Sequence, residues 1–549
     1  MKRTVLSIAF ILASAFIAVG KESPTIVNIV NFIRQTEPRT YTGITDEELY
    51  QTVVEQIDLQ KKYNFKATYL LQYDALINPL YQELLKNGVP EGTEIGGWFE
   101  ITQPHVEAAG IEWRGRFSWD WAAEVDFSFG YTPQERERLV DVYMEKFKSI
   151  FGYYPKSVGS WFIDAHTLNY MYEKYGIVAS CNCKDQYGTD GYTLWGGYWN
   201  QAYYPSRVNA YMPAQDADKQ IPVPVFRMLG SDPIYQYDTG LEDHDQGCVI
   251  TLEPVWGGER GGGLNRQWVN WFMNMMADGD CLAFNYLQAG QENSFSWAKM
   301  HEGLEMQFPL IKELADAGKF RVETLSESGE WFKNNFKTTP ATAVTALEDW
   351  RGLGHKTIWY DSRFYRANLF WEGDSFRFRD IHIFNQDMKS DFMDSVVRSN
   401  QFVYSTLSIV DGFVWSQANA LAGLRAVTFD KDGNSCPTTV SEPSCKARKG
   451  VYTVECGTSA GKLTIRMKED RIIVKMKGCK EPWALELSVA EGTELPFRGF
   501  SPANAMHAEY RNFKYGFLLG KGHFTDGPAA NIPWRIIPRH NRTVTMVFN

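Results

Sequence analysis

The sequence predicts an α/β architecture: a (β/α)7-like barrel followed by a C-terminal antiparallel β-sandwich region. Two observations carry this reading. Over the first part of the chain, short apolar runs alternate with helical patterns of ten or more residues. Such alternation points to parallel strands joined by crossovers, and seven or eight units suit a closed barrel better than an open sheet. Near Pro340 the helices largely disappear and period-two stretches replace them. That pattern belongs to antiparallel strands with one buried face. The implied division is a signal segment over 1–20, a barrel over 21–338 and a sandwich region over 339–549.

The elements follow in order. "TIVNIVNFIR" (Thr25 to Arg34) reads as the first strand, and "EELYQTVVEQIDLQKKYN" as its helix. "KATYLLQYDAL" and "TEIGGWFEI" are the second and third strands, with "NPLYQELLKNG" as the helix between. An aromatic loop, "WRGRFSWDWAAEVDFSFGY", interrupts the alternation. In "TPQERERLVDVYMEKFKSIFG", Thr132, Pro133 and Glu135 form a capping box that starts a helix. "SVGSWFID", "IVASCNCKD" and "QIPVPVFRML" supply the fourth, fifth and sixth strands. The prolines of the sixth make it short or an edge. "DCLAFNYLQAG" is the seventh, between two long helical stretches. Beyond Pro340, "SFRFRDIHIF", "GVYTVECG" and "KLTIRMKEDRIIVKMKG" are among the alternating segments of the sandwich.

Composition narrows the function. The chain has 549 residues, 44% hydrophobic and 22% charged, which is globular rather than disordered. Its net charge is -10, with no basic run able to hold a nucleic-acid backbone. Aromatic residues make up 15%, and their flat faces with polar rims suit sugars as well as cores. "MKRTVLSIAFILASAFIAVG" has the Lys2-Arg3 start, apolar stretch and small residues of an export signal. A periplasmic or secreted protein is expected, with no membrane contact once the signal is removed. Of the eight cysteines, Cys436, Cys445, Cys456 and Cys479 could form one or two bridges.

In a parallel barrel the active site lies at the C-terminal ends of the strands. That rule selects Arg34, Glu37 and Arg39 after the first strand, and Gln72 and Asp74 after the second. It selects Trp98 and Glu100 at the third, Asp164 and His166 at the fourth, and Lys184 and Asp185 at the fifth. Asp232 follows the sixth; Gln288 and Glu292 end the seventh. The aromatic loops add Trp119 and Trp195. Glycoside hydrolysis needs two carboxylates, one a proton donor and one a nucleophile or base. Asp164 is expected as nucleophile or base, and Glu100 or Glu292 as the acid. Trp98, Trp119 and Trp195 would stack on sugar rings. Arg34, Arg39 and His166 would orient the substrate or bind an anionic group; Glu37, Asp74, Asp232 and Gln288 would complete the binding set. Each also has a plainer reading: Asp164 as a helix cap, His166 as a structural histidine, Glu100 as the partner of Arg34 or Arg114.

The segments "GYYPKSVGSWFIDAHTLNYMYEKYGI" and "GTEIGGWFEI" resemble the glycoside hydrolase/deacetylase superfamily, which includes polysaccharide deacetylases and glycoside hydrolase families 38 and 57. The resemblance covers roughly Thr25 to Phe336. It implies a seven-stranded β/α barrel and a carboxylate nucleophile at the end of the fourth strand, the place of Asp164. It also implies an acid from a later strand or loop, Glu292 or Asp232, with Glu100 a third choice. The metal-binding deacetylases carry a paired Asp after the first strand, where this chain has Asn31, and a His-x-x-x-His after "EIG", where it reads "GWFEITQPH" with only His105 nearby. No cofactor is therefore expected; zinc would enter only if the chain were a diverged deacetylase. The leading expectation is an exported glycoside hydrolase acting on an oligo- or polysaccharide. A diverged metal-dependent deacetylase and a non-catalytic carbohydrate-binding protein are the alternatives.

Overall fold

The computed structural model describes residues 23–35 and 43–549. The segment read as an export signal, Glu37 and Arg39 lie outside the described residues.

Seven parallel strands build the barrel: Thr25–Ile33, Thr68–Leu71, Glu94–Trp98, Val158–Gly159, Ser180–Asn182, Val225–Arg227 and Asn285–Ala289. The seventh, first, second, third and fourth run side by side in that order. The fourth meets the fifth through a bridge between Ser157 and Ala179, and the fifth pairs in parallel with the sixth. The sixth gives its other edge to the antiparallel strand Ala202–Tyr203. Among the described residues, the sixth and seventh strands share no ladder, so the ring closes by packing there. All nine residues of the first strand are buried. It is long enough to serve two neighbours on one edge: Phe320–Glu323 at Thr25–Asn28, then the second strand from Val30 onward. Its near-continuous apolar run follows from burial on both faces.

Helix starts follow the local chemistry. Thr132 and Glu135 form the capping box the sequence predicts, and Thr45–Glu48 and Thr324–Glu327 form two more. The sixth strand is only three residues long, as its prolines require.

From Thr342 the chain is almost wholly β. A ten-stranded and an eight-stranded antiparallel sheet form the sandwich region. They face each other through contacts such as Phe524 of one sheet against Phe517 of the other, with ring centres 5.3 Å apart. The cysteines are free, including Cys436, Cys445, Cys456 and Cys479, so the possible bridges among these four do not form. Apolar packing alone sustains sheets of this size.

The two regions are stitched together. Tyr192–Trp195, an excursion from the barrel, pairs in parallel with Phe402–Ser405. Asp185, at the end of the fifth strand, receives Arg227 at 2.8 Å and also Arg366, which in turn holds Asp380 at 2.5 Å. All four side chains are buried. Among the described residues, no helix is long and apolar enough to cross a membrane.

Candidate active site

Arg34 organises the barrel mouth. It follows the first strand directly and is almost completely buried. Asn293 fixes its backbone from both sides: Arg34 N–H donates to Asn293 Oδ1 at 2.8 Å, and Asn293 Nδ2 donates to the Arg34 carbonyl at 2.8 Å. The guanidinium then donates to Glu100 twice, Nε to Oε2 at 2.9 Å and Nη2 to Oε1 at 2.5 Å. Gln72 Nε2 adds a third bond to Glu100 Oε2 at 3.0 Å. On its other side, Arg34 Nη1 lies 2.5 Å from Glu292 Oε2, and Trp119 lies over the guanidinium at 4.4 Å. One cation thus joins carboxylates from the third and seventh strand ends.

The carboxylates differ in their surroundings. Glu100 accepts paired, charge-assisted bonds from Arg34. The contact of Glu292 with Arg34 is a charge contact without an aligned hydrogen bond; its bond is from Ser294 Oγ to Oε1 at 2.5 Å. Burial therefore prevails at Glu292 and pushes its carboxyl above the usual range, against the pull of Arg34 and Ser294. Asp126 is raised further. Burial is the main cause and the charge of Glu100 adds to it, opposed by a 2.9 Å bond from Trp119 Nε1 and by Arg34. Asp126 belongs to the aromatic loop, which Ile101 N–H pins beside Glu100 through a 2.7 Å bond to the Asp126 carbonyl.

These groups line a cavity of about 380 Å3. Trp119, Trp121, Trp161 and Trp256 supply aromatic surface. Trp121 is 38% exposed and Trp256 49% exposed, with Arg116 over the first ring and Lys299 over the second. Glu253 and Lys184, 3.6 Å apart, stand on the wall.

Of the residues selected from sequence, the structure brings Arg34, Glu100, Lys184, Glu292 and Trp119 to this cavity. Asp164 is elsewhere. It caps the helix Ala165–Tyr175 by accepting from Thr167 N–H at 3.1 Å, and pairs with buried Arg136 at 3.1 Å. Ser128 and Thr167 hydroxyls, at 2.5 and 2.6 Å, occupy its second oxygen. Burial would raise this carboxyl, but Arg136 and the hydrogen bonds outweigh it and hold it below the usual carboxylate range. The carboxylate expected as a nucleophile thus caps a helix outside this cavity, with its hydrogen bonds taken up within the fold. His166 lies outward in the first turn and contacts Glu137 at 3.1 Å.

Trp98 is a core residue, stacked on Phe32 at 4.0 Å. Trp195 is buried, with its Nε1 donating to Asp411 at 2.9 Å. Asp232 accepts from Trp268 Nε1 at 2.7 Å and from the backbone of Ile234 and Tyr235. Asp74 accepts from Thr102 Oγ1 at 2.5 Å, and Gln288 accepts from Tyr286 at 3.4 Å inside the barrel. None of these five lines the cavity. Sequence reasoning gave no individual role to Asp126, Glu253, Trp161 or Trp256. The carboxylates of the aromatic loop were a signal for Asp126, although spacing did not single it out from its neighbours.

Residues 117–356 match a family model described as a domain of unknown function with a solved structure, DUF3863. No curated protein matches the chain. A candidate glycoside hydrolase/deacetylase from Parabacteroides distasonis superposes with a TM-score of 0.50 at 14% identity, covering 71% of this chain and 92% of that one. At that identity the likeness shows a shared fold. A candidate polysaccharide deacetylase from Mycobacterium smegmatis is also similar, with a TM-score of 0.37 at 13% identity, covering 58% of this chain and 93% of that one.

A catalytic zinc takes about three protein ligands. Among the described residues, no group of three or more His, Cys, Asp and Glu is arranged to hold a metal ion. At the mouth of the barrel the cation between the carboxylates is Arg34. These residues do not fit a deacetylase metal centre.

Proposed function

We propose that this protein is a carbohydrate-active enzyme, a glycoside hydrolase that works with paired carboxylates at the barrel mouth. The observation that carries the proposal is the unequal pair Glu100 and Asp126. Arg34 donates two hydrogen bonds to Glu100 and Gln72 a third. Burial and the charge of Glu100 push the Asp126 carboxyl well above the usual range. A carboxyl raised in this way suits the acid of the pair, and its neighbour the other role. Asp126 gives its proton to the glycosidic oxygen. Glu100 attacks the anomeric carbon or activates the water that does so, and their separation in the bound complex decides which. Glu292 holds Arg34 from the far side. Trp121 and Trp256 offer stacking faces for sugar rings.

The substrate in this reading is a neutral polysaccharide. Carboxylates outnumber cations on the cavity wall: Glu100, Asp126, Asp190, Glu253 and Glu292 against Arg34 and Lys184. Arg34 is engaged by Glu100 and Glu292, and Lys184 faces Glu253. An acidic sugar would meet like charge, so of the two roles expected for Arg34 this reading takes orienting the substrate over binding an anionic group. The Lys2-Arg3 start and apolar segment of the N-terminus support export; a mature mass lacking that segment, measured on protein from the periplasm or medium, tests it.

The test is product release from a panel of neutral polysaccharides, with Glu100→Gln and Asp126→Asn as controls. The expected result is reducing sugar formed by the wild type and lost in both variants. Glycan binding without any product would instead assign a binding protein.

A further inference from the structure

A second cavity, of about 570 Å3, lies where the barrel excursion meets the sandwich. Its volume is within the ~300–1,000 Å3 of small-ligand sites. One wall comes from Tyr187 to Trp195 and another from Phe402–Ser405, which pairs with that excursion. The third is the edge of the eight-stranded sheet, Phe497–Phe500 and its neighbour Ala505–Tyr510.

The floor is fixed in place. Asp411 is buried; its Oδ2 accepts from Trp195 Nε1 at 2.9 Å, and its Oδ1 accepts from the N–H groups of Phe413 and Val414 at 3.0 and 2.8 Å. Half-buried Tyr187, Tyr510 and Tyr515 supply aromatic surface. The Tyr515 hydroxyl donates to the Ser408 carbonyl at 2.8 Å, which sets the ring. At the rim, Arg498 stands 3.7 Å from Glu509. Arg511 occupies a left-handed turn position (φ 46°) and pairs with Asp391 at 2.5 Å.

This chemistry selects a ligand. Aromatic faces take the apolar side of a sugar ring, and planar guanidinium and carboxylate groups at the edge take its hydroxyls. Arg498 and Arg511 are offset by Asp411, Glu494 and Glu509, so the wall offers no excess of positive charge to a phosphate or uronate. We propose that this cavity is a second glycan-binding site, specific for neutral oligosaccharides and separate from the barrel mouth. It stands on its own residues, whichever carboxylates act in the barrel.

Isothermal titration of the full chain tests it, with neutral hexasaccharides of glucose, xylose, mannose, galactose and N-acetylglucosamine as probes. Glu100→Gln serves as the background without turnover. At least one probe should bind, and Tyr510→Ala and Arg498→Ala should each weaken it by about tenfold or more. Trp256→Ala, at the barrel rim, should leave this binding unchanged. Should Tyr510→Ala melt early, Arg498→Ala decides, because that side chain is 58% exposed. Binding that is lost in Trp256→Ala but kept in both cavity variants, or no binding of any probe, overturns the proposal.

Discussion

Arg34 grips Glu100 through two near-parallel hydrogen bonds, while its contact with Glu292, also at 2.5 Å, lacks that alignment. The same guanidinium therefore engages one carboxylate through aligned bonds and leaves the other governed by burial. Arg34→Lys keeps the charge but loses the fork. It is expected to lower turnover at least tenfold with folding retained, as read by kcat and by circular dichroism. Arg34→Met strands two buried carboxylates, and urea denaturation should show a loss of about 3–5 kcal/mol.

Asp126→Asn should reduce turnover by ~10²–10⁴-fold, the range for removing a general acid. Glu292→Gln should cost less, because Glu292 acts through Arg34. Equal losses in kcat for the two variants would count against Asp126 as the proton donor.

The pH profile follows from the raised carboxyl of Asp126. An acid must carry its proton to work. Activity should fall as pH rises through this carboxyl's elevated pKa, above the ordinary carboxylate range. In Asp126→Asn the residual activity should lose that alkaline limb. Stopped assays across pH 4 to 9 would check it, and an unchanged limb would assign the proton to another group.

His105 sets an acid limit on stability. It is buried, stacked on Tyr73 at 4.6 Å, with Nε2 2.8 Å from the Leu139 carbonyl. Burial lowers the ring to about 4, against the pull of that carbonyl. The unfolded ring titrates near ~6.5. Between these values the unfolded chain binds more protons, so stability rises with pH there. The contribution is complete above pH ~6.5 and lost as pH falls through about 4, a span of about 3 kcal/mol. Urea midpoints at pH 7 and 4.5 should differ less in His105→Phe than in the wild type.

Asp164→Ala tests the cap. Removing one partner of the buried pair with Arg136 is expected to cost about 3–5 kcal/mol. Turnover per folded molecule should remain near normal. A large fall in kcat without loss of stability would restore the catalytic expectation for Asp164.

By itself, the sequence determined the order of the elements. The apolar runs of Thr25–Ile33 and Asn285–Ala289, the Thr132 capping box and the change to period two after Pro340 are local signals, and local chemistry sets them. Selection of strand ends found Arg34, Glu100 and Glu292 because the C-terminal rule of a parallel barrel is topological. The tertiary structure decided which strand-end groups face one another. Asp164 and Glu100 look alike in sequence, each a carboxylate beyond a buried strand. Arg136, from a helix 28 residues upstream, captures Asp164, while Arg34 turns Glu100 into the cavity. Asp126 acquires its chemistry from Trp119, from Glu100 and from the burial their packing imposes. The hydrogen-bond partners and solvent exposure of a carboxyl are properties of the packed chain, and they separate Asp164, which caps a helix, from Asp126, which burial raises beside the cavity.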